Sequence, residues 1–219
     1  MGNKLKKLEY KLAPYAIKNL MTIMIGAMAI IFVADFAVSA SNPDLSLYGW
    51  LSFDLRMVMA GQVWRLFTFI FLPPQTSVLF IIFALYLYWL MGSSLEHEWG
   101  SLWFNLFYLT GIIGALISGL ITGYATNSYL NMSLFLAFAI FYPNFQIYLF
   151  FFIPIKIKWL AWVDVFFLAV SFILSGWGVR LAIIFSLINV IIFFWRDMIA
   201  ECKRLGLNIK YRWNRWRKM

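Results

Sequence analysis

The stretch LWFNLFYLTGIIGALISGLITG, residues 102–123, decides the fold class. It carries no charged side chain over its whole length. A barrel strand is about ten residues of alternating polarity, whereas a helix crossing a bilayer needs roughly 20 apolar residues in a row. In lipid every backbone N–H and C=O has to be bonded internally, and a helix does this within one segment. The stretch therefore reads as a membrane-spanning helix. Within it Gly111, Ala115, Gly119 and Gly123 recur every four residues and make one smooth stripe. Small residues at that spacing let a neighbouring helix approach closely. The spacing predicts helix packing at those four positions and a central place for this helix.

Reading outward, the same apolar character recurs. A first span is expected at about 19–39, a second at 77–93, a fourth at 128–142, a fifth at 159–175 and a sixth at 179–196. Gly92 and the run Ser93-Ser94-Leu95-Glu96-His97-Glu98 are expected to end the second span. Residues 40–75 contain Pro43, Asp44, Asp54, Arg56, Arg65, Pro73 and Pro74, too polar to span and too apolar for a free linker. They are expected to lie partly in the interface. Residues 145–153 are too short to cross and read as an interfacial, protein-packed piece. The expectation is an all-α membrane protein with six spans and a long first external loop.

Composition agrees. The 219 residues are 63% hydrophobic and 12% charged, with mean hydropathy +0.82. A soluble domain is nearer half apolar and a quarter charged. Residues 1–18, the Lys156/Lys158 turn and residues 196–219 together hold fifteen of the eighteen Lys and Arg. Only Arg56, Arg65 and Arg180 fall on the other side of a six-span thread. Positive charge marks the cytoplasmic side, so both termini are expected there, in a multi-pass plasma-membrane protein. The domains are then a cytoplasmic basic segment 1–18, a membrane domain 19–196 and a cytoplasmic basic tail 197–219. The net charge of +9 sits beside apolar helices and the tail tryptophans Trp213 and Trp216, which suits anionic inner-leaflet lipid rather than nucleic acid. The first segment lacks a small-residue cleavage site and reads as a retained helix. One cysteine, Cys202, allows no intrachain disulfide; it is an ordinary apolar residue or a lipidation site.

Three further motifs carry a resemblance. Gly61-Gln62-Val63-Trp64-Arg65-Leu66-Phe67-Thr68 lies in the long loop. Gly92-x-x-Leu95-Glu96-x-x-Trp99-Gly100 follows the second span, and Pro154-x-Lys156-x-Lys158-Trp159-Leu160-Ala161 precedes the fifth. In this order, with six spans, they resemble the rhomboid-like superfamily over residues 20 to 196, the last motif being similar to one in many bacterial members. On physical grounds Arg65 is expected to staple loop carbonyls through its fork, with Trp64 anchoring at headgroup depth. Glu96 and Glu98 are expected to pair with basic residues or to cap backbone N–H groups. Trp99 and Gly100 belong with them as structural positions.

The resemblance implies a serine protease fold: a Ser in G-x-S-G at the outer end of the fourth helix, a His base in the sixth, and H-x-x-x-N in the second. The sequence departs from each. Ser128, in Thr126-Asn127-Ser128-Tyr129, stands where the nucleophile would be, and both glycines are missing. Ser133 is a deeper alternative. The lone histidine, His97, falls on the inner side, across about 30 Å of hydrocarbon from Ser128. A nucleophile and its base have to lie within about 3.2 Å. The sixth span has no His, Lys, Asp or Glu over 179–186. Asp35 is the one other base candidate on the outer side, and a carboxylate there needs burial to raise its basicity. Gln75 and Asn127 are candidate oxyanion donors with nothing to generate an oxyanion. No catalytic residue is expected, Ser128 being one only if the protein is active.

No metal and no cofactor is expected, since one His and one Cys give no usual ligand set. Asp164 in the fifth span is costly in lipid and reads either as a functional position or as a simple pair with Lys158, the pair being preferred. The resemblance thus implies a pseudoprotease that binds transmembrane clients and influences their stability, trafficking or assembly. The alternatives are an intramembrane protease using Ser128 with a non-standard base, and a small transporter or channel.

Overall fold

The computed structural model describes residues 10–42, 45–149 and 153–194. The tail expected at 197–219, Cys202 and residues 1–9 of the basic N-terminal segment lie outside the described residues. The chain is mostly helical. Helix α1 (Leu20–Ser41) is followed by three short loop helices, α2 (Leu47–Leu51), α3 (Leu55–Met59) and α4 (Arg65–Thr68). Then come α5 (Val78–Trp99), α6 (Ser101–Thr122) and α7 (Ser128–Phe141). A hairpin of β1 (Gln146–Leu149) and β2 (Ile153–Lys156) leads into α8 (Ile157–Leu174) and α9 (Trp177–Phe194). Among the described residues, five helices are long and apolar enough to cross a membrane: α1, α5, α6, α8 and α9. The sixth apolar helix, α7, has 14 residues.

Two expectations about the helices change. Gly92 does not end α5, which runs on to Trp99. A methyl group at Gly92 would collide with the Met21 side chain, so this glycine is where α1 and α5 approach. An isolated glycine in a helix is tolerated when packing asks for it. The true stop is Gly100, at φ 80 and ψ 156, a backbone state open to glycine and strained for other residues. It turns the chain directly from α5 into α6.

The second change concerns the centre. The most enclosed helix is α7, not α6: Leu130, Asn131, Ser133, Leu134, Leu136, Ala137, Phe138 and Ala139 are all buried along it. It packs against α5, α6 and α8. Helix α6 buries a single face, the one that includes Phe104, Phe107, Gly111 and Gly119. Residues 145–153, expected to be interfacial, contribute β1 to the antiparallel hairpin, with Ile147 opposite Ile155 and Tyr148 opposite Pro154. The Ile157 N–H donates to the Phe145 carbonyl at 2.8 Å, fastening the hairpin to the start of α8.

Candidate functional site

The site is built at the end of the bundle where the 42–77 loop lies, called here the loop end. Arg65 organises that loop. Its Nη1 donates to the carbonyls of Gly49 and Ser52, both at 2.7 Å, and its Nε donates to Gln62 Oε1 at 2.7 Å. The guanidinium is buried, so each of these bonds replaces hydration it has lost. Trp64 remains partly exposed and donates through Nε1 to the Trp50 carbonyl at 3.3 Å. The Thr68 hydroxyl adds a bond to the Leu51 carbonyl at 2.7 Å.

The loop is tied to the bundle in two places. Asn127, just before α7, donates through Nδ2 to the carbonyls of Ile70 (3.0 Å) and Leu72 (2.7 Å). The Leu55 N–H donates to the Gly123 carbonyl at 2.9 Å. Asp35, near the end of α1, accepts from the Ser46 hydroxyl at 3.1 Å and the Tyr48 N–H at 3.3 Å. This candidate base is therefore held at the start of α2. Burial pushes the nearby Tyr48 hydroxyl above its ordinary pKa, so it stays protonated there.

Ser128 opens α7 and is exposed. Its hydroxyl lies 2.9 Å from the Thr126 hydroxyl, and its N–H donates to Thr126 Oγ1 at 3.2 Å. It lines a polar cleft of about 460 Å³ with Tyr48, Gln75, Tyr88, Thr126, Asn127 and Asn131. Gln75 and Asn127 do stand beside it, but the Asn127 amide is committed to the loop carbonyls. Ser133 is fully buried and donates to the Leu130 carbonyl at 2.7 Å. Ser186 on α9 donates to the Tyr129 carbonyl at 2.7 Å.

His97 is on the opposite end of the bundle. It lies 19 residues beyond Val78 along α5, about 29 Å at the helical rise per residue. Ser128 shares its surroundings with Pro74 and Thr76, just ahead of the first turn of that helix. The opposite end is a structural joint. Glu96 Oε1 accepts from the Asn19 N–H at 2.8 Å and the Ser101 hydroxyl at 2.7 Å, so it ties the residue before α1 to the first residue of α6. Glu98 Oε1 accepts from the Tyr142 hydroxyl at 2.7 Å. Trp99 packs against Phe107, Phe141, Phe193 and Phe194, with ring centroids 5.1–6.3 Å apart, and so joins the ends of α5, α6, α7 and α9.

The small-residue stripe divides. A methyl group at Gly111 would meet the Leu130 side chain, and one at Gly119 would lie 2.7 Å from Ala125 Cβ and 2.9 Å from the Phe53 ring. Ala115 packs against the same core. Gly123 does not pack: it follows the last residue of α6 at φ 91, with nothing within 4 Å of a built Cβ. Its position in the four-residue series reflects a helix stop of left-handed backbone. Gly114, outside the series, approaches Phe185 on α9.

A second cleft, about 520 Å³, continues from Ser128 along the bundle between α5, α7 and α8. Its α7 lining is Ser128, Asn131, Met132 and Phe135, at spacings i, i+3, i+4 and i+7, one face of a helix. Asp164 reaches it from α8. The expected pair with Lys158 does not form: Asp164 Oδ2 is buried with no hydrogen-bond partner among the described residues, and Lys158 Nζ sits 5.5 Å from the Trp159 ring. The two are six residues apart, which puts them about 120° from one another around the helix, not at the three- and four-residue spacings that meet. Asn131 Oδ1 is likewise buried and unpartnered. Neither this face, which is half polar and half apolar, nor the orphaned oxygens are read from the sequence.

Among the described residues no three His, Cys, Asp or Glu side chains gather closely enough to hold a metal. No protein-family model and no curated protein matches this chain.

Proposed function

We propose that this chain is a six-span, rhomboid-like pseudoprotease of the bacterial plasma membrane, which binds transmembrane clients and so influences their stability, trafficking or assembly. The observation that carries the reading is the setting of Ser128. Its hydroxyl has Thr126 as partner, the lone histidine is about 29 Å along α5, and beside it a cleft opens sideways between α5, α7 and α8. A serine with no base is a poor nucleophile, whereas a groove of that kind suits a helix.

In the six-span reading α7 is the fourth crossing. Its 14 residues give about 21 Å, less than the hydrocarbon core, and the enclosing helices together with the Asn127 ties support its ends. Both termini are then cytoplasmic, with the basic segments against anionic lipid.

The test is affinity purification from mild detergent, comparing the native chain with Arg65→Ala. Membrane proteins retained by the native chain and lost from the variant support client binding. Recovery of no membrane protein from either sinks the proposal. Reporter fusions at positions 97 and 128 test the threading, and activity on a common side of the membrane would overturn it.

A further inference from the structure

We infer that the cleft between α5, α7 and α8 receives a transmembrane helix carrying a lysine or arginine within its apolar stretch, with Asp164 as the counter-ion. The inference rests on the client-binding reading above and names the kind of client.

Asp164 is the eighth residue of α8, about 10 Å along the helix from Ile157 and so well inside its apolar length. Its Oδ2 is buried and unbonded. A carboxylate in apolar surroundings is costly unless something compensates it. Among the described residues no basic side chain lines the cleft. Asn131, in the same cleft, bonds the Tyr88 side chain, and its buried Oδ1 is left without a donor. Both orphans are acceptors, so the missing groups are donors, and at Asp164 the complement is a cation.

The form of the cleft selects a helix as occupant. Its α5 wall runs from Phe80 through Phe83, Ala84, Leu87 and Tyr88 to Met91, about 16 Å or three helical turns. Ala84 in the middle of that wall leaves room for a neighbour. A lipid amine would meet an acceptor at one end of such a groove; a helix fills the turns and carries its cation to depth.

The test uses the purified full chain in phosphatidylcholine nanodiscs, with two labelled 20-residue Leu/Ala peptides read by energy transfer. One peptide has a single central lysine and the other a leucine there. The lysine peptide is expected to bind at least fivefold more tightly. The preference should vanish in Asp164→Asn, persist in Asp164→Glu, and pass to a central-glutamate peptide in Asp164→Lys. An unchanged thermal midpoint shows that the variants fold, and Asp164→Glu keeps the comparison decisive if Asp164→Asn does not.

Equal binding of both peptides overturns the counter-ion role and leaves client binding standing. Binding of neither peptide overturns both readings. A lysine preference that survives in Asp164→Asn places the cation elsewhere and overturns the inference. Loss of the preference when phosphatidylethanolamine is added assigns the carboxylate to a lipid amine and overturns it as well.

Discussion

The Asn127 side chain donates to the Leu72 carbonyl at 2.7 Å across 55 residues of sequence, so the first turn of α7 is fastened to the end of the 42–77 loop. The same amide reaches the Ile70 carbonyl, and Asn127, Ile70 and Leu72 are all buried. Ser128 is thereby held at the mouth of both clefts by a bond its own side chain does not make.

Asn127→Ala leaves two buried carbonyls without a donor. At about 1–3 kcal/mol for a buried group left unsatisfied, the expected loss is roughly 2 kcal/mol or more. Unfolding in detergent, followed by a thermal or denaturant midpoint, measures it. Protease sensitivity should rise first within residues 42–77.

Arg65→Lys should recover only a small part of what Arg65→Ala loses. A lysine is one point donor, whereas the guanidinium serves Gly49, Ser52 and Gln62 together. Equal midpoints for native and Arg65→Lys protein would contradict the staple.

The glycines of the helices separate by what they touch. Gly119→Ala should destabilise by about 1–3 kcal/mol, because the new methyl overlaps Ala125 and Phe53. Gly26→Ala, in α1 with nothing within 4 Å, should be neutral or stabilising by up to about 1 kcal/mol. The order of the two midpoints is the check.

Trp99→Ala removes the ring that four phenylalanines share and should cost about 3–5 kcal/mol. Trp99→Phe should cost distinctly less. Both are read from the same unfolding curves.

A fluorophosphonate probe should leave Ser128 unlabelled at concentrations that saturate an active serine hydrolase. Labelling that disappears in Ser128→Ala would establish an activated hydroxyl and return the protein to the proteases.

Much of the fold was legible because lipid makes helices obligatory and their apolar runs long. The expected starts and ends of α1, α6 and α7 lie within two residues of the observed ones. Helix α5 runs six residues past its expected end, because Gly92 resembles a stop until Met21 is seen against it. Gly123 shows the opposite: a four-residue spacing does not tell a packing glycine from the one that ends the helix. The pairing of β1 with β2 is not legible in the sequence, since a short apolar run fits a strand or a helix fragment equally well.

Sequence by itself settled that the chain is apolar and helical, that its basic residues lie in blocks, and that it has one histidine, because these depend only on composition and order along the chain. Tertiary structure decided which helix is enclosed, which glycines touch a neighbour, that Asn127 is bound to the loop, and that Asp164 and Asn131 face a cleft with oxygens unpaired. Those facts depend on which distant side chains meet, and no spacing along a single chain contains that.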